Sequence, residues 1–227
     1  MTSSSSSTRM GRAGRRMMPL ALAGLASLAL AASPVMASSP TPYGSNLLSN
    51  AGAQAGHASP DGQSPVVIPG WDDTFANMTV VKYGTPGFPG THESNKFGGG
   101  SKFFSTGPYD NVFNTCGDAD QTIVLTGRGS AIDAGQIRAR LSGRVAASGP
   151  AVAHLDLYFR TSNNHSVAVN GITKHTSNTG SSFVALGGSK VLPKHTRTLR
   201  IHIWASGVSS GYCKAYFDQL SVVIEHV

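Results

Sequence analysis

Nowhere does this sequence sustain a 3.6-residue apolar period, which argues against a helical fold. Charged residues make up 13% and aromatic residues 7%, against 27 glycines and 12 prolines. That balance suits a loop-rich β protein. There is no internal repeat, and beyond residue 37 no apolar run is long enough to cross a membrane. The eight histidines are dispersed, with no His-x-x-x-His or Glu-containing zinc motif. No Gly-x-Ser-x-Gly elbow occurs, and Gly98-Gly99-Gly100 reads as a loop, not a phosphate cradle. With no nucleophile–base constellation in view, a non-catalytic protein is expected.

What is present begins at the N-terminus. Arg9, Arg12, Arg15 and Arg16 precede an apolar run, Met17 to Ala32, that ends in Val35-Met36-Ala37. A basic segment, an apolar segment and a small-x-small site together predict a secretory signal peptide over residues 1–37, cleaved after Ala37. The apolar run is short for a membrane span and is interrupted by Gly24 and Ser27. The mature protein is therefore expected outside the cell, with no membrane segment. Cleavage removes four arginines and no acid, so the formal +7 falls to +3. That total does not support nucleic-acid binding. Residues 38–45 read as a flexible leader and 46–227 as one domain. Cys116 and Cys213 are an even pair in an exported chain, so a disulfide is expected, with two free buried thiols as the alternative.

Strand signals are clearest in the second half. Strand candidates are Gln121–Leu125, Ile137–Val145, Val152–Arg160, Phe183–Leu186, Thr198–Trp204 and Ala215–Ile224, with an earlier one at 78–83. A period-two pattern is clear in Ile137–Val145, Val152–Arg160, Thr198–Trp204 and the end of the last. Many short strands separated by Gly, Pro, Asn and Ser predict an all-β, two-sheet sandwich, best matched by a jelly roll. In the last strand Asp218 shares parity with Leu220, Val222 and Ile224, which places it on the apolar side, where a carboxylate needs a partner. Trp71, after Pro69-Gly70, reads as a core anchor.

Several stretches, in order, resemble secreted bacterial proteins with a galactose-binding-like, carbohydrate-binding-module-like jelly roll. They are Asn46-Leu47-Leu48-Ser49-Asn50-Ala51-Gly52-Ala53-Gln54, Pro69-Gly70-Trp71, Val80-Val81-Lys82-Tyr83-Gly84, Gly100-Ser101-Lys102-Phe103-Phe104, Asp120-Gln121-Thr122-Ile123-Val124-Leu125, Ile132-Asp133-Ala134-Gly135 and Tyr216-Phe217-Asp218-Gln219-Leu220-Ser221. The resemblance implies a structural calcium ion held at the positions of Asn50, Gln54 and Asp218. Gln54 stands where the family pattern has Glu, which lowers the charge of the set. The alternative is a metal-free clasp, with Asp218 accepting backbone N–H bonds from the 50–54 turn.

The resemblance also implies that three strands are neighbours in one sheet. Their outward residues are Arg138, Arg140, Ser142 and Arg144; His154, Asp156, Tyr158 and Arg160; and Arg200, His202 and Trp204. Such a basic, aromatic face suits a glycan, with rings stacking on sugar and polar groups bonding to hydroxyls or a carboxylate. The candidate ligand residues are Trp204, His202, Arg200, Tyr158, His154, Arg160, Arg138 and Arg140. A second candidate is the loop edge carrying Tyr109, Asp110, Asn111, Tyr212 and Lys214. The expected function is a secreted, non-catalytic glycan-binding module. A structural or adhesion module of the cell envelope is the first alternative, and a polysaccharide hydrolase or lyase the second.

Overall fold

The computed structural model describes residues 38–73, 77–167 and 171–227. The signal segment expected at 1–37 lies outside them. Two antiparallel sheets face each other in a jelly-roll sandwich. One has five strands in the order β1 (Thr79–Lys82), β2 (Lys102–Ser105), β9 (Ala215–His226), β4 (Ile137–Ala147) and β7 (Val184–Val191). The other has four: β3 (Ala119–Val124), β8 (Thr198–Ser206), β5 (Val152–Arg160) and β6 (Ile172–Ser177). Two short helices, α1 (Thr91–Asn95) and α2 (Gly129–Asp133), sit in connections. Among the described residues no helix is long and apolar enough to cross a membrane.

The period-two pattern builds the interior directly. Ile137, Ala139 and Leu141 of β4 face Leu155, Leu157 and Phe159 of β5, Leu199, Ile201 and Ile203 of β8, and Leu220, Val222 and Ile224 of β9. Each large apolar side chain sealed here stabilises the fold by about 1.5–3 kcal/mol relative to exposure. Trp71 is buried in this core, its ring 5.1 Å from Phe104. Cys116 and Cys213 form a disulfide across 97 residues, with Cα atoms 5.8 Å apart.

Three expectations are corrected. First, β4 belongs to the five-stranded sheet and β5 and β8 to the other, so the three strands do not share a face. Second, Asp218 does not point into the main core. The pairing of β4 with β9 shifts between Ser142↔Ser221 and Arg144↔Asp218, and Gln219 adopts φ 45°. One extra residue in β9 makes a β-bulge, which reverses the parity upstream of it. Phe217 therefore faces the main core, while Tyr216 and Asp218 face outward. There they meet a second apolar cluster of Val81, Tyr83, Phe103 and Ala146, roofed by Phe88 and Phe97 from the 84–101 connection. Third, the leader is pinned. Thr41 N and Oγ1 donate to Thr126 O and Val124 O (both 3.0 Å), Gly44 N donates to Ile224 O (3.0 Å), and Arg128 stacks on the Tyr43 ring at 3.9 Å.

Candidate functional site

The outer face of the four-stranded sheet collects six of the eight residues singled out from the sequence. Antiparallel register sets them in rows: His154 between Trp204 and His175, His202 between Asp120 and Asp156, and Arg200 between Thr122 and Tyr158. Arg160 closes the far end of β5, donating from Nη1 to the Asn164 carbonyl at 2.9 Å. Arg138 and Arg140 are not part of this group, because β4 carries them on the opposite sheet.

Most polar groups on the face are paired with one another. Arg200 grips Asp120 with a two-pronged ion pair, which raises the guanidinium pKa further. His202 Nε2 donates to Asp118 Oδ2 at 2.9 Å. Asp156 is only 2% exposed. Its Oδ2 accepts from Trp204 Nε1 (2.8 Å) and Tyr158 OH (3.2 Å), while Oδ1 has no hydrogen-bond partner among the described residues. Burial, with the nearby Asp156 charge, pushes the Tyr158 hydroxyl up to about 12. His154 stacks on the Trp204 indole at 3.9 Å and shares a hydrogen bond with Ser206 Oγ at 2.8 Å. Burial lowers its pKa, which favours the neutral ring. One face of Trp204 is thus already covered, and its N–H is committed.

What remains open is a cleft of about 310 Å³ lined by Phe113, Thr115, Asp118, His202 and Trp204. The loop edge supplies one wall. Asp110 Oδ1 accepts from the N–H groups of Val112 and Phe113 (2.7 and 3.0 Å), turning the loop so that Phe113 stands 58% exposed beside the sheet. Pro108 bridges to Tyr212, and Cys116 ties the loop to Cys213. Tyr212 itself is pinned by Ser105 and Gly62. Of the residues named from the sequence, His202 and Trp204 line the cleft. None of the loop-edge set Tyr109, Asp110, Asn111, Tyr212 and Lys214 does, although Asp110 shapes the loop that carries Phe113. Phe113, Thr115 and Asp118 escaped the sequence reading. For Asp118 and Asp120 the signal was their alternation into the following strand; for Phe113 there was none.

Neither a family model nor a curated protein matches the chain. Among solved structures, a cyclase from Fischerella sp. TAU superposes with a TM-score of 0.54 at 13% identity, over 78% of this chain and 95% of that one. What the two share is the fold. The enzymatically active domain of bacteriophage CBA120 tailspike protein 4 gives 0.46 at 14% identity, over 79% of this chain but only 21% of its own length. The xylan-binding CBM22-1 domain of Paenibacillus barcinonensis Xyn10C gives 0.41 at 12% identity, over 71% of this chain and 89% of that one. Both superpose too loosely to carry weight.

Two groups bear on metal binding. Ligand atoms of Asp118, Asp120 and His202 lie within 4.8 Å of one another, although Arg200 already neutralises Asp120. The other group is the one expected from the sequence. Asn50 is occupied, accepting from Ala55 N and donating to the Pro69 carbonyl. Asp218 is fully buried against Gly52 and Gly99, where an added Cβ would come within 3.1 and 2.4 Å of its carboxylate. It accepts from Tyr83 OH and Gln219 N (both 2.7 Å), not from the 50–54 turn, and makes no ion pair among the described residues. Burial pushes its pKa up to about 7, with the two hydrogen bonds opposing. Beside it the carbonyls of Gly52, Gly99 and Lys102 converge on the Gln54 side-chain amide. A glycine-walled carboxylate among carbonyl oxygens is a donor set that fits a hard cation.

Proposed function

We propose that the domain is a secreted, non-catalytic glycan-binding module whose ligand occupies the cleft between Phe113 and Trp204. The observation that supports this most is the juxtaposition of two aromatic walls with the Asp118–His202 pair. A sugar ring offers an apolar face to the aromatics and hydroxyls to the carboxylate and imidazole. The polar groups behind them are held by ion pairs and hydrogen bonds, so the walls are preorganised. In this reading Tyr158, Arg200 and Arg160 position the face instead of touching ligand. The signal peptide remains part of the proposal: the protein recovered from the medium should begin at Ser38.

A glycan array with wild type, Phe113→Ala and Trp204→Ala tests the site. Binding by wild type and loss in Phe113→Ala, with unchanged melting, is the expected result. No glycan bound by wild type would move the assignment to a structural or adhesion module of the cell envelope. Turnover of a bound polysaccharide would move it to a hydrolase or lyase.

We further propose that a structural calcium ion is held by Asp218, the side-chain oxygen of Gln54 and the neighbouring carbonyls of Gly52 and Lys102. A half-turn of the Gln54 amide, which gives up the two bonds its oxygen now accepts from Ser101 N and Oγ (both 3.1 Å), would present that oxygen to those carbonyls' space. Asn50 is left out of the set, since its amide braces the turn itself, bonded to Ala55 N and to the Pro69 carbonyl. It faces neither Asp218 nor the 98–102 loop in any hydrogen bond among the described residues. Bound there, calcium would neutralise the buried carboxylate and join the 50–54 turn, the 98–102 loop and β9.

A further inference from the structure

On the opposite side of the sandwich, the outer face of the five-stranded sheet carries a second groove, of about 520 Å³. Its floor crosses three strands in the rows Ser189–Arg140–Val223 and Gly187–Ser142–Ser221. The floor is low because β7 runs close to β4. A Cβ at Gly187 would lie 2.7 Å from the Leu141 carbonyl, leaving no room for a larger residue. Arg138 and Arg140 rise from alternate positions of β4, and both are exposed. Arg140 gives one N–H to Glu225 Oε1 at 3.2 Å, while Arg138 makes no ion pair among the described residues. Two guanidinium groups thus meet a single carboxylate.

We infer that this groove binds an acidic polysaccharide, one whose sugar rings carry carboxylates. The unpaired Arg138 presents the planar fork that accepts a carboxylate through two parallel bonds, and Arg140 retains donors beyond the one given to Glu225. The hydroxyls of Ser142, Ser189 and Ser221 suit a chain of ring hydroxyls lying flat on the floor. An acidic peptide fits less well. An extended peptide would add to β7, the edge strand of the sheet, instead of lying on the sheet face. The inference is independent of the cleft at Trp204, which lies on the other sheet.

Calorimetric titration of the protein with oligogalacturonate, its methyl ester and polyglutamate tests this. The free acid should bind, and the ester about tenfold more weakly or worse, as expected when a charge-assisted bond is lost. Added salt should weaken the acid's binding. Arg138→Gln/Arg140→Gln should lower affinity by about tenfold with little change in melting, since the Arg140–Glu225 pair is exposed. Trp204→Ala should leave this titration unchanged even if it abolishes binding at the cleft. Absence of binding by the free acid, equal binding of the ester, or wild-type affinity in the double variant would each overturn the inference. Polyglutamate bound as tightly as the uronate would overturn the polysaccharide assignment.

Discussion

Replacing Trp204 by phenylalanine separates two roles that alanine would confound. Among the described residues the indole N–H is one of two donors to the side chain of Asp156, a carboxylate that is 2% exposed and whose other oxygen meets no donor there. Phenylalanine keeps an aromatic wall for the cleft and a ring for His154 to stack on, but leaves Asp156 with Tyr158 alone. A hydrogen bond to a buried charged group is worth about 1.5–3 kcal/mol, so Trp204→Phe should cost about 2 kcal/mol. Trp204→Ala loses the His154 stack as well, bringing the cost to about 3 kcal/mol. Urea denaturation followed by circular dichroism measures both, with the m value unchanged because the surface exposed on unfolding is the same. Trp71, the other tryptophan, stays buried in the core as a fluorescent reporter. The decisive control is Asp156→Asn. If the cost arises from stranding a charge, Trp204→Phe should be much milder in that background. Wild-type stability in Trp204→Phe, or an equal cost in both backgrounds, would refute the argument and return Trp204 to the role of a free stacking platform.

Two further outcomes follow from the same packing. Reducing the Cys116–Cys213 bond releases a 97-residue loop, which in the chain-entropy argument costs about 4.7 kcal/mol. Melting should fall sharply in reductant, and two free thiols titrated in unreduced, denatured protein would disprove the bridge. Calcium should raise the melting temperature and chelator lower it, with the difference abolished in Asp218→Asn; an identical melt in both would rule out the structural ion.

The sequence carried the sandwich because its inner faces are written in strict alternation, as in Leu155, Leu157 and Phe159 or Leu199, Ile201 and Ile203. It carried the six residues of β5 and β8 for the same reason. It could not carry strand partnership, since outward residues of β4 look like those of β5 and β8; Arg138 and Arg140 went to the wrong sheet on that account. β6 was missed because Ile172-Thr173-Lys174-His175 has little apolar rhythm, and most of β7 because Gly187-Gly188 reads as a turn. The bulge at Gln219 was illegible, because a single αL residue leaves no mark in hydropathy, yet it decides where Asp218 points.

That bulge also has a consequence for how the protein comes apart. β9 carries Phe217, Leu220, Val222 and Ile224 in one apolar cluster and Tyr216 in the other. A strand threaded through both cannot be released from either alone, so the roof over Tyr83 and Phe103 is not a separately melting flap. The two clusters should lose hydrogen-exchange protection together, as one cooperative unit, with β9 as the seam between them.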